Sequence, residues 1–116
     1  MLSVVIPVRD EEENIEPVYE RLSGALDATG DDWEIVFSVD PSTDRTEELI
    51  DALCARDSRV RMLRFSRRFG QPMAILAGME ASSGDAVIVI ALEGELGSKL
   101  FGARGLGSQG DLRRRI

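Results

Sequence analysis

The chain has 116 residues, the size of one domain and too few for two ordinary ones, so a single core is expected. A hydrophobic share of 43%, a charged share of 30% and a mean hydropathy of −0.09 exclude a disordered acidic tail, and no apolar run approaches the roughly 18 residues of a membrane helix. One cysteine, Cys54, and no histidine exclude an internal disulfide, a thiolate cluster, His-based zinc sites and Ser-His-Asp or Cys-His catalysis.

The net charge of −7 is unevenly spread. Residues 1–90 carry 18 acids and 9 arginines, whereas residues 91–116 carry three acids, five bases and six of the eleven glycines. An acidic body argues against nucleic acid as a partner, because phosphate neutralisation needs a basic surface. The start Met1-Leu2-Ser3 lacks the basic residues of a secretory leader, which predicts a cytoplasmic location.

Leu2–Val8 is a nearly continuous apolar run rich in β-branched residues, as expected of a strand buried on both faces. Ile15, Val18, Tyr19, Leu22 and Leu26 then recur at helical spacing between Asn14, a candidate N-cap, and the stop at Thr29-Gly30. Trp33–Val39 reads as a second buried strand, followed by turn chemistry in Asp40-Pro41-Ser42-Thr43-Asp44. Asp44 and Glu47 have the spacing of a capping box, and Leu49, Ile50 and Leu53 form the apolar face of a second helix. Val60–Phe65 is a third strand, whose Arg61 and Arg64 predict a less central place in the sheet. A basic loop, Arg67-Arg68-Phe69-Gly70, leads into a helix over residues 71–83, and residues 85–90 make a fourth buried strand.

The order βαβαβαβ predicts a Rossmann-like α/β fold, a parallel sheet flanked by helices on both faces. Ligands in such sheets bind where loops leave the carboxyl ends of the strands, here residues 7–12, 38–44, 66–71 and 91 onward. Beyond Ile90 the glycines interrupt any periodicity; Leu92, Leu96, Leu100 and Phe101 allow a helical turn or two, and little order is expected.

The loop Pro7–Asn14 lacks the glycines of a dinucleotide fingerprint, and the chain has no P-loop. The acids at 10–13 suit the first turn of a helix through its dipole. Asp40, at a strand's carboxyl end, is placed either to accept a hydrogen bond from a base ring N–H or to form an Asx-turn.

Val4-Val5-Ile6-Pro7-Val8-Arg9-Asp10-Glu11-Glu12-Glu13-Asn14-Ile15 resembles the opening V-x-I-P-V-Y-N-E-E-x-N-I of family 2 glycosyltransferases with the GT-A fold. Val39-Asp40-Pro41-Ser42-Thr43-Asp44-Arg45-Thr46 is similar to that family's D-D-G-S-T-D-x-T. Arg67-Arg68-Phe69-Gly70-Gln71 is similar to R-N-F-G-Q, and Ser83-Gly84-Asp85 to S-G-D. The subgroup resembled is the polyprenyl-phosphate glycosyltransferases, including dolichol-phosphate mannose synthases.

The resemblance implies that residues 1–90 are the nucleotide-sugar-binding half of a GT-A domain, with Pro7, Arg9, Glu11 and Asp40 around the base and ribose of a UDP- or GDP-linked donor. It implies a lipid phosphate acceptor and, for a full-length member, peripheral association with the membrane. Arg9 stands for the usual tyrosine, Val39 for an aspartate, Pro41 for a glycine and Arg68 for an asparagine. The family's D-x-D, which binds Mg²⁺ or Mn²⁺, is met by Ala91-Leu92-Glu93; only Glu93, with Glu95 beside it, offers oxygen ligands, and no bound metal is expected. Residues 91–116 read as a divergent Gly/Arg-rich tail, as an out-of-frame GC-rich reading, a truncation or a cloning scar would give. The acceptor half and the catalytic base are missing, so the expectation is a truncated, inactive form, or a non-catalytic nucleotide-binding module. Of the arginines at 59, 61, 64, 67 and 68, Arg67 or Arg68 is favoured near the diphosphate, and exposed apolar edges predict self-association.

Overall fold

A computed structural model describes residues 1–92 and the backbone of residues 98–103. The described elements are β1 (Leu2–Val8), α1 (Glu12–Asp27), β2 (Trp33–Val39), α2 (Thr46–Arg56), β3 (Val60–Arg64), α3 (Gln71–Ala81), β4 (Ala86–Leu92) and β5 (Ser98–Ala103). The sheet order is β3-β2-β1-β4-β5. The first four strands in the chain are mutually parallel, as the alternation predicts, and β3 lies at an edge, where its arginines reach solvent.

The sequence pattern placed no strand after residue 90. In the structure β4 runs on to Leu92 and β5 pairs with it antiparallel, from Leu92↔Ser98 to Val87↔Ala103. Pairing of an edge strand draws on main-chain groups that any residue but proline supplies, so it leaves little mark on side-chain periodicity. Residues 93–97 and 104–116, with the candidate ligands Glu93 and Glu95 and most of the tail expected to lack order, lie outside the described residues.

Helices cover both faces. On one, Val4, Ile6 and Val8 of β1 and Ile35, Phe37 and Val39 of β2 meet Ile15 and Leu26 of α1 and Ile50 and Leu53 of α2, all buried. On the other, Val5, Val36, Val87 and Val89 meet Met79 of α3. Gly78 is what lets α3 sit this close: a Cβ there would overlap Val5 Cγ1 and lie 2.7 Å from Ser38 Oγ.

The amino end of the sheet holds a buried polar network. Glu34, inside β2, accepts hydrogen bonds from Ser3 Oγ (2.6 Å) and the Ser83 N–H (2.6 Å) and pairs with Arg61 (2.9 Å). Burial opposes its ionisation, but these donors hold its carboxyl below the usual range. The Gly84 N–H donates to Ser3 Oγ (2.8 Å), and a Cβ on Gly84 would fall 2.6 Å from that oxygen. Ser83-Gly84-Asp85 is therefore a packing motif at the end of the sheet opposite the carboxyl-end loops.

After β3 the chain crosses back over β1 to enter β4 on its far side. The strand order reverses there, and the crevice at the carboxyl ends of β1, β2 and β4 is where this topology binds ligands.

Candidate nucleotide site

Parallel pairing in register, Pro7↔Ser38 and Val8↔Val39, releases the loops after β1 and β2 side by side. Each then supplies the polar partners of the other. The Glu11 N–H donates to Thr46 Oγ1 (2.8 Å) and the Glu12 N–H to Asp44 Oδ2 (3.2 Å), so α1 is capped from the second loop and begins ahead of the expected cap, Asn14. In return Glu12 Oε1 accepts the Arg45 N–H (3.1 Å) and Asp10 Oδ1 the Thr43 N–H (2.7 Å). Asp44 uses its other oxygen on the Thr46 N–H (2.9 Å), joining the starts of both helices. Partial desolvation works against charge on Asp44, yet the bonds from Thr46 and Glu12 keep its carboxyl below the ordinary value. Asp10 sits at φ 53°, a left-handed conformation that aspartate tolerates and that turns the loop toward its neighbour.

Asp40 follows β2, with its N–H on Val8 O (3.1 Å) and the residue 4% exposed. Its two oxygens accept the N–H groups of Phe69 (3.0 Å) and Gly70 (2.9 Å), fixing the turn that leads into α3. Gly70 has φ 88°, available at no steric cost only to glycine. Of the two readings open in the sequence, neither names this contact: Asp40 anchors a third loop.

Between these loops lies a cleft of about 210 Å³ lined by Pro7, Arg9, Glu11 and Asp40 together with Arg68, Gly70, Gln71, Ala74 and Leu92. All four residues singled out in the sequence meet there. Arg68 is the favoured arginine that reaches it; Arg67 lies over the Phe69 ring, 4.9 Å from its centroid. The other three are engaged elsewhere, a correction to the basic stretch: Arg59 pairs with Asp27 and Asp57, Arg61 with Glu34, and Arg64 with Glu47 and Asp51. Gln71 was marked in the sequence only as the last residue of the R-N-F-G-Q-like motif, and Ala74 had no signal beyond its place at the start of α3.

The carboxyl end of β4 carries Ala91 and Leu92, neither with a donor atom. Among the described residues no group of three or more Asp, Glu, Cys or His side chains is arranged to hold a metal ion. Of the D-x-D-like stretch, the described positions Ala91 and Leu92 offer no side-chain oxygen to a divalent cation, and Glu93 and Glu95 lie outside the described residues. Among the described residues no helix is long and apolar enough to cross a membrane.

The family model "Glycosyl transferase family 2" matches residues 3–91. The chain belongs to that family. Over 89 residues it is 43% identical to the bactoprenol glucosyl transferase of Shigella phage SfV, a match spanning 77% of this chain and 29% of that protein. Over 91 residues it is 42% identical to an undecaprenyl-phosphate 4-deoxy-4-formamido-L-arabinose transferase of Pseudomonas paraeruginosa, across 78% of this chain and 27% of the relative. The chain thus spans less than a third of these relatives.

Among solved structures, TarS residues 1–349 of S. aureus aligns with a TM-score of 0.65 at 19% identity, over 78% of this chain and 26% of that one. Glucosyl-3-phosphoglycerate synthase of Mycobacterium tuberculosis, solved with Mn²⁺, uridine diphosphate and phosphoglyceric acid, aligns with a TM-score of 0.61 at 31% identity, over 78% and 32%. The family 2 chain has the α/β fold of the GT-A glycosyltransferases.

Proposed function

We propose that residues 1–90 are the donor half of a glycosyltransferase that moves a sugar from a UDP- or GDP-linked donor to a polyprenyl phosphate. The observation that carries this reading is the convergence of Pro7, Arg9, Glu11 and Asp40 on one cleft at the carboxyl end of β1 and β2. Pro7 offers a surface for a base, Glu11 an acceptor for ribose hydroxyls, and each Asp40 oxygen keeps a second lone pair for a ring N–H. Support for the donor class comes from the uridine diphosphate bound by the M. tuberculosis neighbour, and for the lipid acceptor from the names of the phage and Pseudomonas relatives.

By itself the chain is a nucleotide-binding unit without turnover. Ala91 and Leu92 bring no side-chain metal ligands, and no general base is assigned among the described residues; of the divergent stretch 91–116, Leu92 lines the cleft. Titration of ¹⁵N-labelled chain with UDP, GDP and their glucose or mannose conjugates tests the reading. Amide shifts confined to the loops after β1 and β2 and to the start of α3 are expected, with no sugar transfer to undecaprenyl phosphate. Shifts clustered elsewhere, or none, refute the donor cleft.

A further inference from the structure

We infer that the chain grips the diphosphate of its nucleotide with the guanidinium groups of Arg9 and Arg68, and does so without a divalent metal. This rests on the donor-cleft reading above. Arg45, Arg56, Arg59, Arg61 and Arg64 are each tied to a carboxylate within 3.3 Å. Arg67 is stacked on Phe69, and Arg21 faces an apolar groove between α1 and β4. Arg9 and Arg68 come from different loops and line one cleft, and among the described residues neither has a carboxylate within ion-pair distance.

The carboxylates that share the cleft already accept hydrogen bonds from the protein. Asp40 holds the Phe69 and Gly70 N–H groups, and Glu11 accepts the Asn14 side-chain amide at 2.8 Å. Arg9 and Arg68 bring two exposed planar forks with five N–H donors each, which match phosphate oxygens pairwise. Both positions hold an uncharged residue in the pattern the chain resembles. The two substitutions add two positive charges, the formal charge of one divalent ion, and the end of β4 lacks that ion's ligands.

Calorimetry of the full chain in EDTA, with UDP against uridine and GDP against guanosine, tests this, with NMR titration for the weaker nucleosides. One diphosphate is expected to bind on the order of 100-fold more tightly than its nucleoside. Arg9→Gln and Arg68→Gln should each weaken the diphosphate about tenfold and the nucleoside less than about twofold. Arg9→Lys and Arg68→Lys should fall between, keeping charge but losing the fork. Mn²⁺ should change the diphosphate affinity less than about twofold, and raising salt from ~0.05 to ~0.5 M should erode the advantage over nucleoside. Diphosphate binding that requires Mn²⁺, or a diphosphate-to-nucleoside ratio unchanged in both Gln variants, overturns the inference and leaves the donor cleft standing. Failure of nucleotides and nucleosides alike to bind overturns the donor cleft and the inference with it.

Discussion

Removal of the Asp40 carboxylate isolates the contact on which the cleft's third wall depends. In Asp40→Ala the backbone stays tethered through the Val8 carbonyl, while the N–H groups of Phe69 and Gly70, 3.0 and 2.9 Å from the carboxylate oxygens, lose their acceptor. Two hydrogen bonds to a charged group are worth about 1.5–3 kcal/mol each. Part of that returns, because a buried carboxylate no longer has to be desolvated and the half-buried amides gain water. The balance is a destabilisation of about 2–4 kcal/mol, or a fall in Tm of roughly 10–20 °C for a domain of this size. Asp40→Asn should lose about half as much: its carbonyl oxygen satisfies one N–H, and its amide faces the other donor to donor. Thermal melts with amide exchange read both effects. Protection should drop at Phe69, Gly70 and the first turn of α3 and persist in β1 and β2. A variant that melts within about 2 °C of the parent, with unchanged exchange at Phe69 and Gly70, refutes the anchoring role.

Glycine substitutions should differ in sign with the space around them. Gly78→Ala drives a methyl into Val5 and Ser38 and should cost about 1–3 kcal/mol, whereas Gly24→Ala, in α1 with nothing within 4 Å, should gain about 0.5–1 kcal/mol by urea denaturation. Glu34→Ala strands the Ser3 hydroxyl and the Ser83 N–H beneath α3; since Arg61 is 41% exposed and can hydrate, a loss of about 2–3 kcal/mol is expected from the same assay. Asp57 is held far below the usual carboxylate range, first by the Arg59 guanidinium and, against partial desolvation, also by the Arg59 N–H and the Tyr19 hydroxyl. The folded chain releases that proton more readily than the unfolded one, so the stabilisation is complete above about pH 5 and is lost progressively as pH falls below it. Asp57→Asn should flatten the decline in denaturation midpoint between about pH 5 and 3; an unchanged slope refutes the assignment.

The strands were legible because β1, β2 and β4 are buried on both faces, which leaves near-continuous apolar runs, and because a strand carrying Arg61 and Arg64 belongs at an edge. What stayed hidden depends on register. Arg61 pairs across the sheet with Val36, and two residues before Val36, on the same face, stands Glu34; until β2 and β3 are aligned, nothing marks that arginine as bound for the amino end of the sheet. Likewise Asp44 and Glu47 carry the spacing of a local capping box. Once Val8 lies beside Val39, however, the nearest unpaired N–H groups for Asp44 include one from the opposite loop, and capping crosses over.

The same crossing changes the electrostatic meaning of the site. Two carboxylate-rich turns suggest an anionic grip on a nucleoside. In three dimensions Asp10, Glu12 and Asp44 spend their charge on the facing loop's backbone, and Asp40 spends its charge on the turn before α3. The acids thereby build the walls of the cleft, and the groups free to meet a ligand's charge are the arginines at 9 and 68.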